Sequence, residues 1–245
     1  MHSQTYSQTD STPATRHLNA ALRELPLLQD LPAELLRHIE QHATMVHGRQ
    51  RQLLFLRDDP ETFIGLVLQG HVYHTLQEPD GHEVIIDRSG PGELVGESAL
   101  LQAEKRSCNA QLSRNCQLLL LHQLHFPALQ GNDALMARVQ RQLCSRLQRI
   151  SSFVETVCLY RLEARLARHL LSEMARSGRS GPDGVELPLT ANQSILAAML
   201  NASRPRLNAQ LKQWQRAGLI QLSRHALRVT DPGRLRQIAQ QAASR

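Results

Sequence analysis

Two groups of residues in this 245-residue chain have types and spacings that could do chemistry. The first is Gly96-Glu97-Ser98 followed by Arg106-Ser107. Gly96-Glu97-Ser98 reads as the opening of a single helical turn, Ser98 to Leu101, whose free backbone N–H groups would attract an anion. Arg106-Ser107 reads as part of the next strand. A guanidinium can grip a phosphate through two parallel hydrogen bonds, and the Ser107 hydroxyl can add a third. Glu97 repels phosphate but accepts well from a sugar hydroxyl. The set suits a ribose phosphate. The same spacing also serves an internal ion pair, with Arg106 bridging Glu97 and nothing else bound, and the two readings stand side by side.

The second group lies in residues 190–217, TANQSILAAMLNASRPRLNAQLKQWQRA, which reads as a helix-turn-helix. Thr190 with Gln193 forms a capping box. Ile195, Leu196, Met199 and Leu200 give the first helix an apolar face. Asn201 tolerates the left-handed backbone of a tight turn. Ser203 caps the second helix, and Pro205 falls in its first turn, where a missing N–H costs little. Leu207, Leu211 and Trp214 face inward. Arg204, Arg206 and Asn208 face outward and are the types that read guanine and adenine edges in the major groove. Lys212 and Arg224 suit phosphate contacts. An amphipathic hairpin with a solvated basic face would share this pattern. However, residues 219–229 add two short strands around Ser223-Arg224-His225, as in a winged helix.

Charge separates the two ends of the chain. From residue 159 onward there are 14 Lys and Arg against 5 Asp and Glu, whereas residues 1–158 hold 14 and 17. A basic C-terminal third on a slightly acidic body is the electrostatic footprint of a phosphate-binding domain joined to something else.

The elements that position these groups follow from periodicity. Residues 1–16 are polar and read as disordered. Residues 17–43 give two short helices broken at Pro26 and Pro32. Between 44 and 126, apolar runs at 52–56, 64–70, 71–76, 83–88 and 116–122 are separated by turn residues such as Gly70 and Pro79-Asp80-Gly81. This spacing predicts an antiparallel β-barrel or jelly roll. Residues 132–158 return to helical periodicity. There Leu143, Leu147, Ile150, Val154 and Val157 form a heptad seam, extended upstream by Met136 and Val139, which suits a parallel homodimer coil. A helix packed on its own barrel is the other use of such a seam. Residues 160–177 form one more helix, 177–184 a surface loop, and VELPL a strand. The fold class is α+β, with a disordered tail at 1–16, a sensor domain at 17–131, a dimerisation helix at 132–158 and a winged helix-turn-helix at 159–245.

Composition narrows the classes. Aromatic residues make up only 3% of the chain, so Leu, Val, Ile and Ala must build the cores. No apolar run approaches the roughly 18 residues that span a bilayer, and the polar N-terminus lacks a signal-peptide core, so a cytoplasmic protein with no membrane partner is expected. Cys108, Cys116, Cys144 and Cys158 lack metal-site spacing. No catalytic triad, metal cluster or nucleotide-hydrolysing loop stands out, so neither an enzyme nor a metal site is expected.

The order of barrel, G-E-S…R-S cassette, long helix and helix-turn-helix with S-R-x-R-L-N resembles the cyclic AMP receptor protein/FNR (Crp/Fnr) family of bacterial transcription regulators over about residues 18–238. The resemblance implies that Gly96, Glu97 and Ser98 take ribose and phosphate, that Arg106 and Ser107 take phosphate, and that Ile150 and Ser151 meet the base of a cyclic nucleotide such as cyclic AMP. Ile150 departs from the hydroxyl residue expected there, and the segment between Gly96 and Arg106 is shorter. Ser203, Arg204, Arg206, Asn208, Lys212 and Arg224 become the DNA-contacting set on a palindromic operator. Pro205 and Ala209 replace two base-reading residues of the family, which implies a different target sequence. RNA polymerase is the implied protein partner. Family members also sense haem-bound gases or need no ligand. His71, His74 and His82 are the histidines clustered in sequence that a haem reading would use. A nucleotide-binding subunit acting on a partner protein is a further reading, which the basic C-terminal domain disfavours.

Overall fold

The computed structural model describes residues 22, 24–48, 52–77, 83–101, 104–182, 184–188, 193–223 and 226–241. They divide into two compact units: residues up to Val72 with Ser89–Ser145, and Tyr73–Arg88 with Arg146 onward.

In the first unit, helix α1 (Ala33–His42) is followed by strands β1 (Thr44–His47), β2 (Leu53–Phe55) and β3 (Phe63–Gln69). Val72–Gln77 (β4) and Glu83–Ser89 (β5) come next in sequence and fall almost wholly in the second unit. The first unit resumes with β6 (Leu94–Val95), a 3₁₀ turn at Glu97–Leu101, β7 (Asn109–Leu112), β8 (Gln117–His122), a 3₁₀ turn at Gln123–His125, helix α2 (Phe126–Gln130) and the start of helix α3 (Asp133–Leu159). One sheet runs β1-β8-β3-β6, and β2 pairs antiparallel with β7.

β3 and β8 carry the unit because alternate residues serve two cores. Ile64, Leu66, Leu119 and Leu121 meet α1, α2 and α3 in one cluster; Val67 and Leu118 meet Val46, Leu54, Phe55 and Val95 in another. A strand buried on both faces loses the polar alternation of a half-exposed strand, which accounts for the unbroken Leu run of β8. The sheets are open and do not close into the barrel that the sequence pattern suggested. β6, bounded by Gly92 and Gly96, is only two residues long and cannot complete a closed ladder.

α3 is capped by Asn132, whose Oδ1 accepts from the Leu135 N–H at 2.9 Å. Val139 is fully buried against its own unit, with Met136 and Leu143 packed beside it. These upstream positions therefore belong to the protomer's own core and do not extend a seam toward a partner.

The second unit continues with helix α4 (Leu162–Ser177), strands β9 (Arg179–Gly181) and β10 (Gly184–Pro188), helices α5 (Gln193–Met199) and α6 (Arg204–Arg216), strands β11 (Ile220–Leu222) and β12 (Ala226–Val229), and helix α7 (Pro232–Ala239). Its sheet order is β11-β12-β10-β9. β9 corrects the reading of 177–184 as a loop: Gly181, Ser180 and Arg179 pair with Gly184, Val185 and Glu186. Gly184 has φ +122°, and a Cβ there would lie 2.1 Å from the Val229 carbonyl, so only glycine lets β10 approach β12. Leu166, Leu207, Leu211, Trp214, Ile220, Leu227 and Leu235 form one core.

Trp214 is the only tryptophan in the chain, so its fluorescence reports the second unit. Leu207 is fully buried in this core. Leu207→Ala should destabilise the transition followed by tryptophan fluorescence in urea by about 2–5 kcal/mol, from lost transfer energy and the cavity left behind.

Candidate functional site

Arg106 does not lie on a strand as the sequence pattern suggested; it precedes β7 in an irregular segment. Its position is set by a short backbone ladder. The Asp58 N–H donates to the Arg106 carbonyl at 2.9 Å, the Arg106 N–H to the Asp59 carbonyl at 2.9 Å, and the Glu61 N–H to the Glu104 carbonyl at 3.1 Å. This ladder brings Glu61 beside Arg106. The Arg106 Nη1 donates to Glu61 Oε2, and Nη2 donates to the Phe63 carbonyl at 2.6 Å. The Ser98 hydroxyl donates to the other Glu61 oxygen at 2.6 Å. The guanidinium lies 4.1 Å from the Phe55 ring centroid and 4.6 Å from that of Phe63, a cation–π enclosure. Arg106 is 2% exposed. Burial pushes its pKa below the ordinary arginine value, while Glu61 and then Asp59 pull it back up.

Gly96 is required here. Its φ is +73°, and a Cβ would lie 2.0 Å from Arg106 Nη1. The structure thus brings together Gly96, Ser98 and Arg106 of the expected set. Glu97 is buried, Ser107 is exposed, and Ile150 and Ser151 lie in the second unit, half-buried and exposed respectively. The carboxylate partner of Arg106 is Glu61, not Glu97. Glu61 presents two oxygens and one negative charge to the guanidinium and to Ser98, which is the chemistry expected of a ligand phosphate. Sequence reasoning missed it because the pair spans 45 positions.

The cassette is tied to α3. The Leu94 N–H donates to Gln142 Oε1 at 2.9 Å, and Gln142 Nε2 donates to the Leu94 carbonyl at 2.9 Å. One side-chain amide therefore satisfies both backbone groups of a β6 residue two positions before Gly96.

In the second unit, α5, a turn and α6 form the helix-turn-helix. Asn201 adopts φ +47° as expected. Ser203 occupies the N-cap position of α6, but its side chain makes no capping bond. Leu207, Leu211 and Trp214 are buried, and the Trp214 indole donates to Glu163 at 3.2 Å. Ser203, Arg204, Arg206 and Lys212 are exposed, and among the described residues none of these three basic side chains makes an ion pair. Asn208 is half-buried with its Oδ1 shielded from solvent. Thr190 and Arg224 lie outside the described residues. Arg165, beneath the turn, donates to the Asn201 carbonyl at 3.3 Å; burial first, then the charge of Arg206, lowers its pKa.

A second buried charge group was not foreseen. Asp87 accepts from Arg146 Nε at 3.0 Å and from Arg149 Nε at 2.7 Å. Arg146 Nη2 lies 2.9 Å from His74 Nε2. Arginine can only donate, so that ring nitrogen carries the lone pair and is engaged. This leaves His74 poorly placed as a haem ligand; His71 lies in the first unit, and His82 lies outside the described residues.

These features define the class: a cyclic nucleotide-binding domain followed by a winged helix-turn-helix. Residues 45–133 match the cyclic nucleotide-binding domain, and residues 164–238 match the Crp-like helix-turn-helix domain. The cAMP-activated global transcriptional regulator Vfr of Pseudomonas aeruginosa is 23% identical over 195 residues, covering 76% of this chain and 90% of Vfr. The cAMP-activated regulator CRP of Haemophilus influenzae is 24% identical over 162 residues, 65% of this chain and 71% of CRP. Among solved structures, the c-di-GMP responsive regulator CLP of Xanthomonas campestris superposes with TM-score 0.71 at 21% identity, covering 82% of this chain and all of CLP. A CooA variant from Carboxydothermus hydrogenoformans superposes with TM-score 0.72 at 17% identity, covering 89% of this chain and 95% of CooA. The chain belongs to the Crp/Fnr family of transcription regulators, which is not a family of enzymes. Among the described residues, no helix is long and apolar enough to cross a membrane.

Burial first, then the charges of Arg146 and Arg149, hold His74 well below the ordinary imidazole pKa. Unfolding restores an ordinary value near 6.5, so the unfolded state binds the extra proton. The stability of the second unit should hold above pH 6.5 and fall on acidification below it, by up to about 1.4 kcal/mol per pH unit. Urea midpoints between pH 8 and 5 should show this slope, and His74→Gln should reduce it, the remainder coming from His169, whose pKa burial also lowers.

Proposed function

We propose that the protein is a homodimeric, sequence-specific DNA-binding transcription regulator gated by a cyclic nucleotide or related anionic effector in its first unit. The observation that carries the DNA reading is the outer face of α6, where Arg204, Arg206 and Lys212 are exposed without counter-ions among the described residues. Basic side chains that the protein leaves unneutralised are available to phosphates and base edges. Arg204, Arg206 and Asn208 are assigned to bases, and Ser203, Lys212 and Arg224 to the backbone. Reading through Asn208 requires its side chain to turn outward on binding.

Dimerisation rests on α3. Beyond the unit's own core, Leu147 is 66% and Val154 52% exposed, and Ile150 and Val157 are half-buried. A narrow apolar stripe of this kind is covered by a second copy in a parallel coil. Two copies would present two α6 helices to a palindrome, with half-sites one helical turn apart. The division of labour follows: sensing by 17–131, dimerisation by 132–158 and DNA binding by 159–245. RNA polymerase is the assigned protein partner and the cytoplasm the assigned compartment.

In the effector step, the phosphate takes the place of the Glu61 carboxylate on Arg106 and Ser98. The resulting shift of the cassette passes from Gly96 through Leu94 to Gln142 on α3. Coupling of this type is worth about 1–3 kcal/mol.

Fluorescence anisotropy with a selected operator at fixed salt tests the whole reading. Cyclic AMP should tighten binding about tenfold, and Arg106→Ala should remove that response. Glu61→Gln removes the competing charge and should tighten cyclic AMP binding in direct titration; weaker binding would overturn the exchange. Tight operator binding indifferent to cyclic AMP would retain the regulator and discard this effector. Arg204→Ala should cost roughly 1–3 kcal/mol on the operator and little on random DNA. Equal losses on both would make Arg204 a phosphate contact.

A further inference from the structure

The histidines of the first unit form a cluster that neither the effector pocket nor the DNA-binding helices use. His38 and His42 lie one turn apart on α1, at the i and i+4 spacing that puts two side chains on one helix face. His125 ends the 3₁₀ turn before α2. The apolar face of α1 (Leu35, Leu36, Ile39) and that of α2 (Phe126, Leu129) enter the same core, so packing fixes both backbones. One nitrogen from each of the three imidazoles lies within 4.8 Å of the others. Ring centroids are 4.6 Å apart for His38–His42, 5.2 Å for His38–His125 and 4.1 Å for His42–His125.

Three imidazoles gathered this closely repel one another when protonated. No carboxylate among the described residues bonds to any of them. The His38 Nε2 is shielded from solvent and has no hydrogen-bond partner among the described residues. Neutral imidazoles are the usual ligands of borderline divalent ions, whereas calcium and magnesium want oxygen donors.

We propose that His38, His42 and His125 bind one divalent transition-metal ion of the zinc, nickel or copper class. With Zn–N bonds of about 2.0–2.1 Å, ligand nitrogens lie roughly 3.3 Å apart, so the rings must close by at most about 1.5 Å. The exposed His42 ring supplies most of that movement by turning out of its stack on His125. A fourth position faces solvent and takes water or an external ligand. The ion clamps α1 to the entry of α2 and stabilises the first unit. This inference is independent of the effector and DNA assignments.

The full-length protein, stripped with EDTA and dialysed, is titrated with zinc chloride at pH 7.5 by calorimetry. Cys144 and Cys158 are exposed thiols and thiolates are zinc ligands, so the parent carries Cys144→Ser and Cys158→Ser to remove that competition. One zinc per chain is expected, with a rise in melting temperature. His42→Ala, at an exposed position outside the apolar core, and His125→Gln should each weaken the site at least tenfold and abolish the thermal shift. Circular dichroism checks that both variants fold. Absence of a stoichiometric site in the parent, or equal zinc affinity in the histidine variants, would overturn the proposal.

Discussion

A buried guanidinium must have its charge met, and the first unit is arranged around meeting the charge of Arg106. Removing an isolated ion from water is costly, and breaking a buried pair typically forfeits about 3–5 kcal/mol. The segment 58–61 is therefore held against 104–106 so that Glu61 reaches the cation. The Phe63 carbonyl takes a second donor, and Phe55 and Phe63 close over the guanidinium. Gly96 is the remaining condition, since any side chain there would occupy the space of Nη1. An incoming ligand that lacks negative charge has nothing to offer this site. One that carries a phosphate must first compete with a carboxylate already in place.

Much of this was legible in the sequence because the signals are local. Strand periodicity located β2, β3, β4, β5 and β8, and the Asn201 turn announced itself by residue type. Elements whose signal is weak were missed. β6 is too short to show a period, β7 is half polar, and β9 hides in a glycine- and serine-rich stretch. Arg106 was found as a cation near a glycine cassette, but its partner was not. Pairing across distant segments is decided by the backbone ladder and not by spacing along the chain. The cluster of His38, His42 and His125 was not read from the sequence, because His125 comes from a turn far along the chain. Met136 and Val139 fit the heptad seam but fall on the stretch of α3 that closes the unit's own core.

The second unit applies the same constraint with the opposite outcome on its surface. Asp87 engages Arg146 and Arg149, and His74 stays neutral to complete the group. Replacing such buried pairs with apolar residues is often neutral or stabilising. Their presence therefore points to a requirement for specific geometry rather than for stability alone. Both groups include cations whose charge is met by a buried carboxylate, Glu61 in one and Asp87 in the other.

That contrast separates the basic side chains that meet internal carboxylates from those that do not. Arg146, Arg149 and Arg106 are spent on internal carboxylates. Arg228 pairs with Glu186 at 3.0 Å and Arg176 with Glu173 at 3.4 Å. Among the described residues, Arg204, Arg206 and Lys212 have no such partners on the exposed face of α6, and the field of Arg206 reaches Arg165 beneath the turn. Keeping like charges together costs Coulomb energy that screening only partly relieves. An anionic partner of regular charge spacing, which is the chemistry of a nucleic-acid backbone, would recover that energy on binding.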